Sequence, residues 1–249
     1  MAEPVLIEVC VDSIASAVAA ERGGASRIAL CSDLFEGGIT PSAGLIAAVR
    51  ARIRIPLHVI IRPRSGDFCY AQEELEVMHR DIETAKRIGA NGVVFGVLDP
   101  AGHVDVGQTR ALVELARPLS VTFHRAFDMS DDLFWALDDV CATGAGRILT
   151  SGGEPTCLQG SEKLAALVRR ANGRIRIMAA GGIHHENATA IIERTGVREI
   201  HVGLSSVVES PMQYRNSRIS MGKAPDREYQ RSQVLEESVR QLHLAISSL

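Results

Sequence analysis

No apolar run in this 249-residue chain approaches the roughly 20 residues that a membrane-spanning helix needs. No cationic segment with an apolar core precedes the first predicted strand either. The chain reads Met1-Ala2-Glu3-Pro4 and then turns apolar, so neither a span nor an export signal is expected. Basic residues are scattered without a lysine-rich run or basic arm, and the net charge is -3, so neither nucleic acid nor a membrane surface is an expected partner. The five cysteines are an odd number, at scattered positions, with no Cys-x-x-Cys among them and no Met-rich repeat. That pattern predicts free thiols in a reducing compartment, most simply the cytoplasm. A dinucleotide glycine fingerprint, a nucleophile elbow and a P-loop are all missing, which leaves hydride transfer, acyl transfer and NTP hydrolysis without a motif.

What is present is alternation. Apolar strands are predicted at Val5–Val11, Arg27–Leu30, Leu57–Ile61, Gly92–Val97, Val121–Phe123, Arg147–Thr150, Ile175–Ala179 and Glu199–Val202. Helical patterns fall between them, the first starting at an Asp12/Ser13 cap and stopping at Gly23-Gly24. The last helix is predicted over about Arg227–Ser247. Eight strand-helix repeats at this length predict an α/β fold, a single (β/α)8 TIM barrel with residues 1–249 as one domain. A long loop over 205–226, without clear periodicity, precedes the last helix and reads as a lid or an oligomer contact.

In such a barrel, chemistry sits where strands end. The stretch Val121-Thr122-Phe123-His124-Arg125-Ala126-Phe127-Asp128 begins as a strand and runs into an imidazole, a guanidinium and a carboxylate. Packing alone gives an apolar strand no reason to end that way. Glu8, Cys10 and Asp12 are spaced by two and share a strand face, and the same rule puts Arg62 and Arg64 together. A carboxylate inside a barrel needs a partner, so Glu8 is expected near Arg62, Arg125 or His124. These residues define a candidate catalytic set: His124 as general acid or base, Glu8 or Asp128 orienting it, and Arg125 beside it. Arg62 and Arg64 are candidate clamps for a carboxylate or phosphate. The loops Ala180-Gly181-Gly182-Ile183 and Gly203-Leu204-Ser205-Ser206 stand where barrels hold phosphate, making Gly181, Gly182 and Ser205 further anion candidates, although paired glycines also build ordinary turns. Cys10 and Cys31 end adjacent strands, so their sulfurs could meet and offer the soft donors that Cu(I) favours; the alternative is plain packing. His58 and His201 read as barrel histidines satisfied by their neighbours.

Several blocks resemble the CutC family: Glu8-Val9-Cys10-Val11-Asp12, Glu36-Gly37-Gly38-Ile39-Thr40-Pro41-Ser42, Ile61-Arg62-Pro63-Arg64-Ser65-Gly66-Asp67-Phe68, the His124-to-Asp128 stretch, Leu149-Thr150-Ser151-Gly152 and Met212-Gln213-Tyr214-Arg215-Asn216. The resemblance covers nearly the whole chain, in order. It implies a TIM barrel, a cytoplasmic location, self-association into a homo-oligomer, and a role in copper homeostasis with Cu(I) as the bound metal. Two departures stand out: Ala29 replaces a glutamate usual in the family's second strand, and Ser65 stands where glycine is common. The competing expectation is an enzyme acting on a small anionic ligand.

Overall fold

The computed structural model describes residues 4–216, 218–221, 228–247 and 249. Eight parallel strands close into a barrel: β1 (Leu6–Val11), β2 (Arg27–Leu30), β3 (Leu57–Ile60), β4 (Gly92–Phe95), β5 (Ser120–Phe123), β6 (Arg147–Thr150), β7 (Arg176–Ala180) and β8 (Glu199–Val202). Closure is made by β8 on β1, in the register Leu6↔Glu199 through Val9↔Val202. The helices are α1 (Ile14–Arg22), α2 (Ala43–Arg50), α3 (Gln72–Ile88), α4 (Val106–Ala116), α5 (Leu133–Thr143), α6 (Ser161–Ala171), α7 (Ala188–Thr195) and α8 (Glu236–Ile246). This is the (β/α)8 TIM barrel that the alternation predicts.

Local chemistry sets most boundaries. Ser13, Ser42, Asp105 and Asp132 each accept a hydrogen bond from a backbone N–H in the following turn, capping α1, α2, α4 and α5. The strands are buried on both faces, and the two-residue alternation divides their side chains between two cores. On β1, Ile7, Val9 and Val11 join the layer under the helices, whereas Cys10 packs inside the barrel with Cys31, Ile60 and Val94.

The C-terminal part departs from expectation. Ser205–Glu209 forms a strand, β9, paired antiparallel with β10 (Gln230–Val234), so a hairpin stands where a loop and the start of a helix are predicted. Helix α8 begins only at Glu236. The run 228–233 carries a single apolar side chain, Tyr229, so no helical stripe exists there to bury; pairing in a hairpin satisfies its backbone instead. Residues 217 and 222–227, which include Asp226 and Arg227, lie outside the described residues. No helix among the described residues is long and apolar enough to cross a membrane.

Candidate functional site at the barrel mouth

Three strands open with a charged residue whose side chain turns inward, and these charges meet at the barrel floor. Arg27 Nη2 donates to Glu199 Oε2 at 2.7 Å, and Arg147 Nε donates to the same oxygen at 2.5 Å. Arg27 Nε also donates to Glu8. One layer up, Glu8 Oε1 accepts from His201 Nδ1 at 2.7 Å, while its other oxygen lies 3.6 Å from His58 Nδ1. Burial opposes ionisation of Glu8, but His201 and Arg27 outweigh it and hold the carboxyl far below the usual range. Burial also opposes charge on His201; Cys10 and Glu8 reverse that and hold its imidazole up at about 10. His58 gains no comparable partner, and burial pushes it down to about 4. Its ring fits only because residue 92 is glycine: a Cβ there would fall 2.5 Å from the imidazole.

Above this network is the mouth, a cavity of about 340 Å³ whose lining includes Cys10, Arg62, Phe68, His124, Leu149 and His201. Cys10 Sγ and Cys31 Sγ lie 3.8 Å apart, and both thiols are free and buried. The neighbouring Cys31, then burial, pushes the Cys10 thiol well above its ordinary range. Two sulfurs bound to one metal through bonds of about 2.3 Å lie from roughly 3.8 Å apart at a tetrahedral angle to roughly 4.6 Å when the three atoms are in line. The pair therefore fits a soft ion with little or no separation. Among the described residues no three His, Cys, Asp or Glu side chains form a ready metal cage, so this pair of thiols is the donor set on which a metal would depend. Ala29 lies between Arg27 and Cys31 on the inward face of β2, in register with Cys10 and His58, and offers only a methyl group there.

His124 is the N-cap of a short 3-10 helix over Arg125–Met129, and its Nδ1 accepts the Ala126 N–H at 3.3 Å. The neutral ring therefore carries its proton on Nε2, which is buried without a partner. Burial, then the nearby Arg62 charge, pushes this imidazole down to about 3. The Phe68 ring meets it edge-on at 4.8 Å. Gly96 makes room, since a Cβ there would lie 2.7 Å from Nδ1.

The structure assembles part of the expected set and redirects the rest. Glu8 is paired with Arg27 and His201, not with Arg62, Arg125 or His124. Neither Glu8 nor Asp128 orients His124; the Ala126 amide does. Asp128 accepts from the Ser151 and Gly153 amides, from Thr150 Oγ1 and from Arg125 Nε, which ties the β5 loop to the β6 loop. Arg125 spends its charge on that carboxylate at 2.7 Å.

Arg62 donates to the carbonyls of Glu36 at 2.8 Å, Gly38 at 3.0 Å and Gly66 at 2.7 Å, tethering two mouth loops. Arg64 points elsewhere, to Glu74 and Asp67, because β3 ends at Ile60 and strand alternation no longer governs the residues beyond it. Gly181 packs against the 155–157 segment and its carbonyl accepts the Cys157 N–H at 3.0 Å; Gly182 faces Thr156. Ser205 belongs to β9 and is exposed. None of Arg64, Gly181, Gly182 or Ser205 lines the cavity. Sequence reasoning missed the cavity role of Phe68 and the floor network. The available signal for that network was a charged residue opening each of β2, β6 and β8.

Residues 5–206 match the family model described as the CutC family. A copper homeostasis protein cutC homolog from Mus musculus is 50% identical over 217 residues, 87% of this chain and 80% of that protein. A family protein CutC from Chromobacterium violaceum is 42% identical over 241 residues, covering 97% of this chain and 98% of its own. The crystal structure of a CutC from Streptococcus agalactiae superposes with a TM-score of 0.74 at 34% identity, over 79% of this chain and 97% of that one. With a closed barrel, two thiols side by side at its mouth and this extent of matching sequence, the chain belongs to the CutC family of copper homeostasis proteins.

Proposed function

We propose that the protein binds Cu(I) as cargo through Cys10 and Cys31 and acts in copper homeostasis in the cytoplasm, as a single barrel domain. The observation that carries this reading is the 3.8 Å approach of two free thiols contributed by adjacent strands. Thiolates are the donors Cu(I) prefers, and closure over one ion needs at most a slight parting of the sulfurs. His201, hydrogen-bonded to Glu8, stands beside Cys10 in the same lining. The test is Cu(I) uptake by reduced protein in competition with a Cu(I)-specific chromophoric chelator. One copper per chain is expected for the parent, with uptake abolished in Cys10→Ala and in Cys31→Ala. Binding by both variants at the parent's level would refute the assignment.

We also read the chain as a homo-oligomer, supported by the exposed apolar side chains Val207, Met212, Tyr214, Ile219 and Met221 around the β9–β10 hairpin. Light scattering on the intact chain tests this. A second reading of the mouth, an enzyme acting on a small anionic ligand, is favoured by one observation: His124 Nε2 and Arg62 Nε are both buried without partners in residues that line the cavity.

A further inference from the structure

We propose that Cys10 and Cys31 form a redox-active dithiol: Cys10 attacks a compact, uncharged disulfide entering the barrel mouth, and Cys31 then closes a Cys10–Cys31 bond that excludes Cu(I). The exchange goes beyond the copper reading and needs no metal; only the exclusion of Cu(I) rests on that reading.

The two sulfurs hold unequal positions. Cys10 is 6% exposed and lines the mouth cavity, whereas Cys31 is fully buried and does not line it. A molecule in the mouth therefore meets Cys10 first, and Cys31 is the thiol placed to resolve the product. Ile60 and Val94 pack with both cysteines, so the surroundings of the attacking sulfur are apolar and suit an uncharged group. A cavity of about 340 Å³ sets the size of what enters.

The pair is close enough to close. The sulfurs stand 3.8 Å apart, against about 2.05 Å in a disulfide, so each bond formed needs an approach of about 1.8 Å. Cys31 lies one residue beyond the end of β2, and residue 38 beside it is glycine; a Cβ there would fall 3.3 Å from the Cys31 sulfur. The missing side chain leaves the Cys31 thiol room to turn toward Cys10.

The chemistry is two successive exchanges. Cys10 Sγ bonds to one sulfur of the substrate, the substrate S–S bond breaks, and the leaving thiolate departs as a thiol with the proton that Cys10 gives up. Cys31 Sγ then bonds to Cys10 Sγ, releasing the second half of the substrate as a thiol with the Cys31 proton. The protein dithiol is oxidised by two electrons and the small disulfide is reduced to two thiols. Burial and Cys31 keep the Cys10 thiol protonated at rest, so the reaction runs over minutes to hours.

The experiment uses copper-free, reduced, full-length protein carrying Cys69→Ser and Cys141→Ser, which removes the two partly exposed thiols. Bis(2-hydroxyethyl) disulfide is the probe, glutathione disulfide the bulky charged comparison, and peptide mapping by mass spectrometry the readout. The expected product is the Cys10–Cys31 disulfide, formed at least ten-fold faster with the compact probe. Cys31→Ala should stop at a mixed disulfide on Cys10, and Cys10→Ala should leave Cys31 unmodified. A mixed disulfide that persists on Cys10 while Cys31 is present, or no reaction at Cys10, overturns the proposal whatever the variants' folding. Modification of Cys31 in Cys10→Ala overturns the assigned roles, and equal rates with the two disulfides overturn the substrate class. The oxidised protein should take up no Cu(I) until reduced by a phosphine; uptake at the reduced level overturns the exclusion. Closure of the disulfide in a protein that binds no copper when reduced overturns the copper reading and leaves the dithiol standing.

Discussion

Acidification from pH 7 to pH 5 should destabilise this protein well before its carboxylates protonate. Two buried imidazoles are responsible. In the folded chain burial holds His58 down to about 4 and His124 down to about 3, against an ordinary value of 6.5. As pH falls below 6.5 the unfolded chain takes up a proton at each position and the folded chain does not, so stability drops with falling pH. At 1.36 kcal/mol per pH unit, each histidine lowers stability by about 2 kcal/mol between pH 7 and pH 5.

His201, held up at about 10, acts in the opposite sense: it is already protonated in the fold, and its stabilising effect becomes complete only below 6.5. It offsets the loss by about 1 kcal/mol, leaving a net change of about 3 kcal/mol. Domains of ordinary stability have about 5–15 kcal/mol in total, so this change is large. Glu8 and Glu199, whose folded values are lowered, add their own losses only as pH falls below the ordinary glutamate range. The window from pH 7 to pH 5 therefore isolates the histidines. Urea unfolding at a series of pH values measures the effect directly. In His124→Gln the difference between pH 7 and pH 5 should shrink by about 2 kcal/mol, whatever the variant's absolute stability. A flat profile in the parent, or an unchanged difference in the variant, would refute the assignment of neutral, buried imidazoles.

Two further outcomes follow from the same geometry. Glu199→Ala removes the carboxylate shared by Arg27 and Arg147 and leaves two buried guanidinium groups short of a partner, so denaturant melts should show a loss of about 3–5 kcal/mol; a loss below about 1 kcal/mol would contradict the floor network. Asp128→Ala frees the Ser151 and Gly153 amides together with Arg125, and should cost about 2–3 kcal/mol and expose the β6 loop to faster amide exchange, whereas unchanged exchange at Ser151 would rule out the tie.

Strand periodicity made most of the fold legible. β2, β6 and β8 lie where the apolar runs place them, and Ser13 and Ser42 cap their helices as their chemistry dictates, because these features depend on neighbours within a few residues. The proximity of Cys10 and Cys31 was also accessible, since consecutive strands of a barrel are adjacent and both residues face inward. The hairpin of β9 and β10 was not, because its strands lie largely outside the core and are held by each other across intervening chain.

Only tertiary structure decided which partner each charge takes. From the sequence, Glu8 had several candidate cations; barrel closure brings Arg27 and His201 to it from the adjacent strands β2 and β8. Arg62 and Arg64 look equivalent two residues apart, yet the strand ends before either, and one turns into the mouth while the other turns toward α3. Periodicity specifies a side chain's face while the backbone remains regular. Beyond the strand ends, where the mouth is built, loop conformation and contacts made at long sequence separation determine which groups meet.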